Sequence, residues 1–161
     1  DRTVLLDGFS KYFAMTGWRL GFKKKKKKMV ERLQDFLVSA VSCTAAFTQW
    51  AGVEALTGKQ DFIPEMMKRF KEKRDRIVAG LNSIEGFSCL SPKGAFYAFP
   101  NIKKTGMRSQ ECADHLLYKV GVATLPGTAF GPYGEGYLRF SYANTLENID
   151  LAIKKIEESF Q

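Results

Sequence analysis

The sequence predicts an α/β fold, in which helices and short strands alternate along the chain. The chain has 161 residues, of which 45% are hydrophobic, and this suffices for a buried core. Through residues 61–84 the apolar positions recur at helical spacing, with charged residues between them. Short apolar runs bounded by turn residues precede and follow this segment, as is typical of strands. A change in character near Asp75 predicts two domains, residues 1–75 and 76–161.

The first domain is expected to contain one strand, one loop and two complete helices. Residues 3–7 predict a buried strand because they carry an uninterrupted apolar run. Residues 8–16 predict a loop, and residues 29–41 and 45–56 predict helices. The long helix over residues 61–84 is strongly charged on one side, as expected for an element that bridges two domains.

The second domain is expected to combine short strands with two helices, the first of them at residues 110–119. The predicted strands cover residues 87–90, 95–99, 122–125 and 137–142. The second helix has an apolar stripe formed by Leu146, Ile149, Ile153, Ile156 and Phe160. Asn144 and Glu147 resemble a capping pair at the start of this helix.

The net charge of +8 depends largely on six consecutive lysines, Lys23 to Lys28. Six adjacent like charges could not be buried as a strand without a large desolvation penalty. Two explanations stay open, an altered stretch of sequence and a solvated surface detour. A nucleic-acid-binding tail is disfavoured because no aromatic platform, zinc-ligand spacing or recognised nucleic-acid motif accompanies the lysines. No nucleic-acid partner is therefore expected.

Cysteine and histidine usage argues against disulfide and metal frameworks. The three cysteines lack CxxC spacing, their odd number disfavours a disulfide framework, and each is expected to be a small core residue. A reducing cytoplasm is the simplest expected location. His115 stands alone, so no metal site is predicted. The longest uncharged run, residues 36–53, contains polar residues and indicates a buried segment rather than a membrane span.

The most informative segment runs from Ser10 to Gly21 and contains Lys11 and Arg19, eight residues apart. Lys11 has mainly apolar neighbours, which would remove hydration from its ammonium form and favour the neutral, nucleophilic amine. Arg19 supplies a fixed cation suited to a phosphate. Together the two residues suggest a lysine that forms a Schiff base beside a phosphate anchor, as pyridoxal phosphate needs.

Ser10-Lys11 followed by Ala14-Met15-Thr16-Gly17-Trp18-Arg19-Leu20-Gly21 resembles the pyridoxal-phosphate lysine segment of the aspartate aminotransferase family, of fold type I and class I/II. The resemblance covers nearly the whole chain. Further family motifs follow in the same order: Gln49-Trp50-Ala51, Glu54-Ala55-Leu56, Lys73-Arg74-Asp75, Pro92-Lys93-Gly94-Ala95-Phe96-Tyr97, Pro126-Gly127-Thr128-Ala129-Phe130 and Leu138-Arg139-Phe140-Ser141-Tyr142-Ala143.

The resemblance implies an architecture and a cofactor. Residues 1–75 would be the C-terminal part of the large, pyridoxal 5'-phosphate-binding domain of a fold type I enzyme, and residues 76–161 an α+β small domain. Lys11 would be the catalytic lysine that carries the cofactor, and Arg19 would bind its phosphate. For Ser10 the hydroxyl could bond the phosphate or only the loop backbone, and both possibilities stay open.

The resemblance also implies substrates and partners. Arg139 would grip the α-carboxylate of an aspartate-like or related L-amino acid, and of the 2-oxo acid that receives the amino group. The residues themselves agree, because an inward arginine on an alternating strand is costly unless it meets an anion. The full-length enzyme would be a homodimer, with neither a metal nor a membrane partner. The alternative is a non-catalytic truncated fragment or a basic binding module.

Overall fold

A computed structural model describes residues 3–161 of the chain, apart from the side chain of Lys28. The chain forms two compact units, Asp1–Glu65 and Met66–Gln161. The division falls within a long helix, which also contains the boundary predicted near Asp75. The assignment of the two domains to residues 1–75 and 76–161 stays a prediction.

The first unit begins with a short antiparallel hairpin. Strand β1 (Leu5–Gly8) leads into helix α1 (Phe9–Tyr12), and strand β2 (Gly21–Lys24) returns beside β1. Residues 8–16 were expected to form a loop, but the run of residues around Lys11 closes one helical turn. The prediction of a buried strand is wrong as well, since all four β1 residues are exposed. Among the described residues β1 pairs with β2 alone, and no layer covers its side chains.

The lysine run lies within regular structure at the surface. Lys23 and Lys24 belong to β2, and helix α2 (Lys27–Val41) begins before the run ends. The five lysines whose side chains are described are exposed or half-buried, so their ammonium groups keep water contact. The Lys25 ammonium also donates to the Thr3 carbonyl oxygen at 2.8 Å. Their surface position agrees with the expectation that the lysines are solvated. The run is not an irregular detour, however, because it leads from strand β2 into helix α2.

Two further helices complete the first unit and begin the second. Helix α3 (Ala46–Thr57) and helix α4 (Phe62–Ser83) lie within two residues of the predicted bounds. Pro64 falls in the first turn of α4, where its missing N–H has no intrahelical acceptor to lose. Apolar residues at helical spacing explain the successful prediction of α4. Helix α3 lacks that spacing and is a mainly apolar segment that ends before Gly58.

The second unit contains a three-stranded antiparallel sheet in the order β3-β5-β4. The strands are β3 (Tyr97–Ala98), β4 (Leu125–Pro126) and β5 (Leu138–Ser141). The strand expected at 95–99 is shorter at both ends. Ala95 adopts a left-handed conformation (φ 59°), and Pro100 comes directly after the predicted strand and cannot donate to a ladder. The strand expected at 87–90 is wrong. Ser88 forms only a single bridge with Asn101.

The helices of the second unit are α5 (Ser109–His115) and α6 (Leu146–Ser159). Helix α5 continues as a wider π-type turn through Leu116–Val120, which ends at Gly121 in a left-handed conformation. The predicted capping pair of Asn144 and Glu147 is wrong by one residue. Thr145 caps α6 instead, because its hydroxyl accepts the Asn148 N–H at 3.2 Å.

The hydrophobic core lies in the second unit, between α4, α5, α6 and one face of the sheet. Cys89 and Cys112 belong to it as expected, whereas Cys43 in the first unit is exposed, so its prediction as a core residue is wrong. The core residues are Ile77, Leu81, Ile84, Phe87, Cys89, Ala98, Ile102, Cys112, Ala113, Leu116, Leu138, Phe140, Tyr142, Ile149 and Ile156.

Candidate active site

The segment that carries Lys11 and Arg19 is a loop closed by the β1–β2 hairpin. Gly8 and Gly21 face each other as the last pair of the ladder, and residues 9–20 connect them. Lys11 follows Gly8 by three residues, and Arg19 precedes Gly21 by two. The pairing of the two strands therefore brings Ser10, Lys11 and Arg19 to the same end of the hairpin.

Phe9 anchors this loop from inside. It is 4% exposed, and its N–H donates to the Leu20 carbonyl oxygen at 3.2 Å across the loop. Its own carbonyl oxygen accepts from the N–H groups of Phe13 and Met15, at 3.3 and 3.4 Å. Its ring contacts Phe13 and Phe22, with ring centroids 5.4 and 5.8 Å away. One buried ring thus fixes the backbone on both sides of Ser10 and Lys11.

Helix α3 supports the loop through Gly52, a residue that sequence reasoning missed. A Cβ atom at Gly52 would lie 2.5 Å from a Leu20 methyl group and 3.5 Å from the Phe9 ring. A side chain at this position would displace the Leu20 methyl group and would lie against the Phe9 ring. The available signal was an isolated glycine inside a helical pattern, which often marks close packing.

The candidate cofactor residues differ in their exposure. Lys11 and Arg19 are exposed, and Ser10 is half-buried. The expectation that apolar neighbours strip water from Lys11 is therefore wrong for the described chain, because the neighbouring Phe9 ring points inward while the lysine remains at the surface. Arg19 is oriented by its own loop, since its Nη1 donates to the Thr16 carbonyl oxygen at 3.0 Å.

Two non-glycine residues of the loop adopt left-handed backbone conformations. Ala14 has φ 53° and Arg19 has φ 52°. Each such residue costs roughly 1–3 kcal/mol, and such residues concentrate at functional sites. In this loop the conformation of Arg19 follows a 3-10 turn, Thr16–Trp18, and fixes the direction from which its side chain leaves the backbone.

Arg139 lies in the second unit, on the central strand β5. Leu138 and Phe140 on either side are buried, while Arg139 is half-buried on the other face of the sheet. Its guanidinium carbon lies 4.3 Å from the centroid of the Tyr97 ring and 4.6 Å from that of Phe130. The arginine was expected to need an anion if it pointed inward. It points away from the core, and aromatic rings accommodate it.

Neither a metal site nor a membrane span is found in residues 3–161. No group of three or more histidine, cysteine, aspartate or glutamate side chains in this range is placed to hold a metal ion. No helix in this range combines the length and the apolar character needed to cross a bilayer. The candidate residues of the first unit offer an amine, a guanidinium group and a hydroxyl, and the candidate residue of the second unit offers a guanidinium group.

Comparison with known proteins places this geometry in a family. The family model described as "Aminotransferase class I and II" matches residues 1–156. The chain belongs to the class I and II aminotransferases. The aspartate aminotransferase of Pyrococcus horikoshii is 41% identical over 163 residues, and the alignment covers 100% of this chain and 42% of that protein. The putative aminotransferase YugH of Bacillus subtilis is 43% identical over 157 residues, covering 98% of this chain and 40% of that protein.

Solved aminotransferase structures share the fold as well. The crystal structure of the aromatic aminotransferase from Pyrococcus horikoshii matches with a TM-score of 0.92 and 39% identity, and the match covers 99% of this chain and 43% of that one. The chain therefore has an aminotransferase α/β fold of type I. It spans about two fifths of the length of the curated relatives that it matches.

Proposed function

We propose that this chain is part of a pyridoxal-phosphate-dependent aminotransferase, which moves an amino group between an L-amino acid and a 2-oxo acid. The observation that carries the proposal is the closed loop, because the Gly8–Gly21 pairing gathers an amine, a guanidinium and a hydroxyl at one end of a hairpin. Membership of the aminotransferase family supports the same activity. An aldehyde with a phosphate group is the ligand that these three groups suit together.

The donor set fits the cofactor group by group. The exposed Lys11 amine can bind the aldehyde carbon, and the exposed Arg19 guanidinium can bind the phosphate through paired hydrogen bonds. Ser10 is half-buried beside Lys11, so its hydroxyl can donate to the same phosphate or to the loop backbone. When bound, the cofactor supplies an electron sink that stabilises negative charge at the substrate Cα.

Different residues of the chain would carry out proton transfer and substrate binding. Lys11 Nζ would be the base that takes the proton from the substrate Cα, and it would return that proton later as an acid. Arg139 binds the substrate carboxylate in the plane of its guanidinium and so orients the Cα–H bond. The buried Phe9 ring keeps the Lys11 backbone in place during these transfers.

The finer expectations belong to the same proposal. The named relatives include aspartate and aromatic aminotransferases, which supports an aspartate-like or related amino acid as donor without selecting one. We further propose that the segment is the C-terminal portion of the enzyme, that the complete enzyme is a homodimer and that it works in the cytoplasm. Each of these stays a prediction. The alternative of a non-catalytic fragment or basic binding module is an outcome of the experiment below.

Reductive trapping of the cofactor tests the lysine assignment without relying on turnover. The chain is incubated with pyridoxal phosphate and reduced with borohydride, and the modified lysine is located by mass spectrometry. We expect the pyridoxyl group on Lys11. Arg19→Ala should raise the cofactor concentration needed for half-maximal trapping by about tenfold or more, because a charged hydrogen-bond pair is lost.

Lys59 provides the matched control, because it is an exposed lysine of the same unit and lies outside the loop. Lys59→Ala should leave the trapped amount unchanged, and Lys11→Ala should remove the specific adduct while the far-ultraviolet circular dichroism stays the same. Equal labelling of Lys11 and Lys59 would contradict a built cofactor site in this chain and would favour the non-catalytic alternative.

A further inference from the structure

The outer face of the three-stranded sheet carries an aromatic cluster around Arg139. Ala98 on β3 and Leu138 on β5 point into the core, so Tyr97 and Arg139 lie on the opposite face of their strands. Tyr97 is paired with Ser141, which makes Arg139 its diagonal neighbour. Phe130 reaches the same guanidinium from the turn Gly127–Phe130.

Both rings are close enough for strong cation–π contact. The Arg139 guanidinium carbon lies 4.3 Å from the Tyr97 ring centroid and 4.6 Å from the Phe130 ring centroid, well within the range of about 6 Å over which such contacts act. These distances suit a guanidinium that stacks on the rings. A stacked guanidinium keeps its N–H groups in its own plane, where they can donate to another partner.

The N–H groups of Arg139 donate to no residue in the range 3–161. Neither a hydrogen bond nor an ion pair to this guanidinium is found in that range, whereas Arg74 and Arg76 both bind aspartates. An arginine held by two rings, with its donors unpaired, is prepared for a planar anion that approaches in the guanidinium plane. A carboxylate is such an anion.

The Phe130 ring is itself supported. Phe99 meets it edge to face, with centroids 6.2 Å apart, and Phe99 stacks on Tyr137 at 5.4 Å. The turn that carries Phe130 is tied to the sheet, because the Gly127 N–H donates to the Tyr137 carbonyl oxygen at 2.8 Å. Gly127 and Gly134 pack backbone against backbone, and a Cβ atom on either glycine would overlap the carbonyl oxygen of the other. The ring position is therefore fixed by the fold.

We propose that Tyr97 and Phe130 are positioning residues, an aromatic clamp that holds the Arg139 guanidinium ready for the substrate carboxylate. The inference rests on the proposed role of Arg139. The clamp limits the rotamers that this long side chain samples, so less conformational entropy is lost when the carboxylate binds. It also directs the free N–H edge without using a protein carboxylate, which would compete with the substrate.

The test measures carboxylate affinity on the full chain. Propionate is titrated while the Nε–Hε resonance of Arg139 is followed by nuclear magnetic resonance, with propionamide as the uncharged control ligand. Tyr97→Leu and Phe130→Leu should each weaken propionate binding by about three- to tenfold, in keeping with the range of cation–π energies. Both should also shift the unliganded Arg139 resonance, because ring-current shielding is removed. Propionamide should not bind in any variant.

Conservative and matched variants separate positioning from general damage. Tyr97→Phe keeps the ring and should keep the affinity. Tyr133→Leu changes a 98% exposed residue of the neighbouring turn and should change neither affinity nor resonance. Phe130 is 52% exposed, so Phe130→Leu should fold even if Tyr97→Leu does not, and this variant alone can decide the test.

The outcomes distinguish the clamp from the proposed role of Arg139. The Arg139→Lys variant has no Nε–Hε group, so its propionate titration is followed through the backbone N–H resonances of β5. If Arg139→Lys abolishes saturable propionate binding but the two leucine variants bind like Tyr133→Leu, the clamp is refuted and the role of Arg139 survives. If Arg139→Lys leaves propionate affinity unchanged, the assigned role of Arg139 fails and the clamp fails with it. Loss of affinity in Phe130→Leu supports the clamp. Where Tyr97→Leu folds, it should lose affinity too, whereas Tyr97→Phe should retain it.

Discussion

The two units bury their apolar residues very differently. In the second unit fifteen residues form one core, and Leu81, Leu116 and Leu138 within it are completely buried. In the first unit the buried hydrophobic residues are Phe9, Met15 and Ile63, as far as residues 3–65 are described. Large apolar side chains remain at its surface, among them Phe36, Val38, Val41, Phe47 and Trp50, which are between 60% and 73% exposed.

The two units therefore differ in how far their own buried residues can stabilise them. A contiguous core of fifteen residues removes enough apolar area from water to hold a fold of this size. The exposed apolar surface of α2 and α3 is of the kind that another part of a protein covers. We therefore expect the second unit to be the more stable one in the isolated chain, and the loop around Lys11 to depend on support beyond its own small core.

Truncating one leucine in each unit should change the free energy of unfolding by very different amounts. Leu81 on α4 is 0% exposed and Leu56 on α3 is 54% exposed. Leu81→Ala should lower the free energy of unfolding by about 2–5 kcal/mol, because it leaves a cavity in the core. Leu56→Ala should lower it by less than about 1 kcal/mol, because water already contacts most of the side chain. Urea unfolding followed by far-ultraviolet circular dichroism measures both.

Tryptophan fluorescence reports on the first unit alone, because both tryptophans, Trp18 and Trp50, lie in that unit. The fluorescence transition should come at lower urea than the circular dichroism transition, and Leu81→Ala should reduce the gap between them. Coincident transitions in the unchanged chain would contradict the expected difference in stability, since they would show that the two units unfold together.

Thiol labelling is expected to give the next largest contrast. Cys43 in the first unit is exposed, whereas Cys89 and Cys112 in the second are buried. Burial raises the pKa of the Cys112 thiol to about 11, and it raises that of Cys89 as well, which reduces the reactive thiolate. A thiol reagent at pH 8 should label Cys43 faster than either buried cysteine by more than about tenfold.

Mass spectrometry of the labelled peptides measures the three rates separately. Leu81→Ala serves as the control, since opening the core should speed the labelling of Cys89 and Cys112 and leave the rate of Cys43 unchanged. Similar rates at all three thiols in the unchanged chain would show that the core of the second unit opens as readily as the surface of the first.

The sequence predicted the helices well and the strands poorly, for a physical reason. Helices depend on local spacing, and α2, α4 and α6 each carry an apolar face at helical spacing. Helix α3 carries no such face, because its apolar residues are spread around the helix. Strands of two to four residues depend on pairing with distant segments, which local sequence does not encode. Ser88 illustrates this, because its single bridge to Asn101 provides too little pairing to extend into a strand.

The candidate site divides in the same way. Lys11, Ser10, Arg19 and Arg139 were identified by residue type and spacing, and their catalytic and binding roles remain predictions. The contacts that place them were not foreseen, because they join residues far apart in sequence. The close approach of Gly52 to Phe9 and the rings around Arg139 are of this kind. Loss of hydration at Lys11 was wrongly expected, since neighbours in sequence do not determine which way a side chain faces.

A smaller change in stability is expected from Glu135, which lies in a loop of the second unit outside the hydrophobic core. Glu135 ties the turn before β5 to the start of α5, because its Oε1 accepts the Ser109 N–H at 2.8 Å and the Gly136 N–H at 3.1 Å. The bond from the Ser109 N–H is the main cause that lowers the pKa of Glu135 below its ordinary value of 4.5. The folded state therefore favours the ionised carboxylate.

A carboxylate whose pKa is lowered by folding stabilises the protein above its unfolded-state pKa, and this contribution is lost as the pH falls through the folded-state value. Glu135→Gln should thus be less stable than the unchanged chain at pH 7, and the difference should shrink as the pH falls below the ordinary value of 4.5. Thermal unfolding between pH 7 and pH 3 measures it. Tyr133→Leu, on the same turn, should give a difference that does not vary with pH in this range. A Glu135→Gln difference that stayed constant with pH would mean that solvent competes successfully for the carboxylate and that the ordered region of the second unit stops at its core.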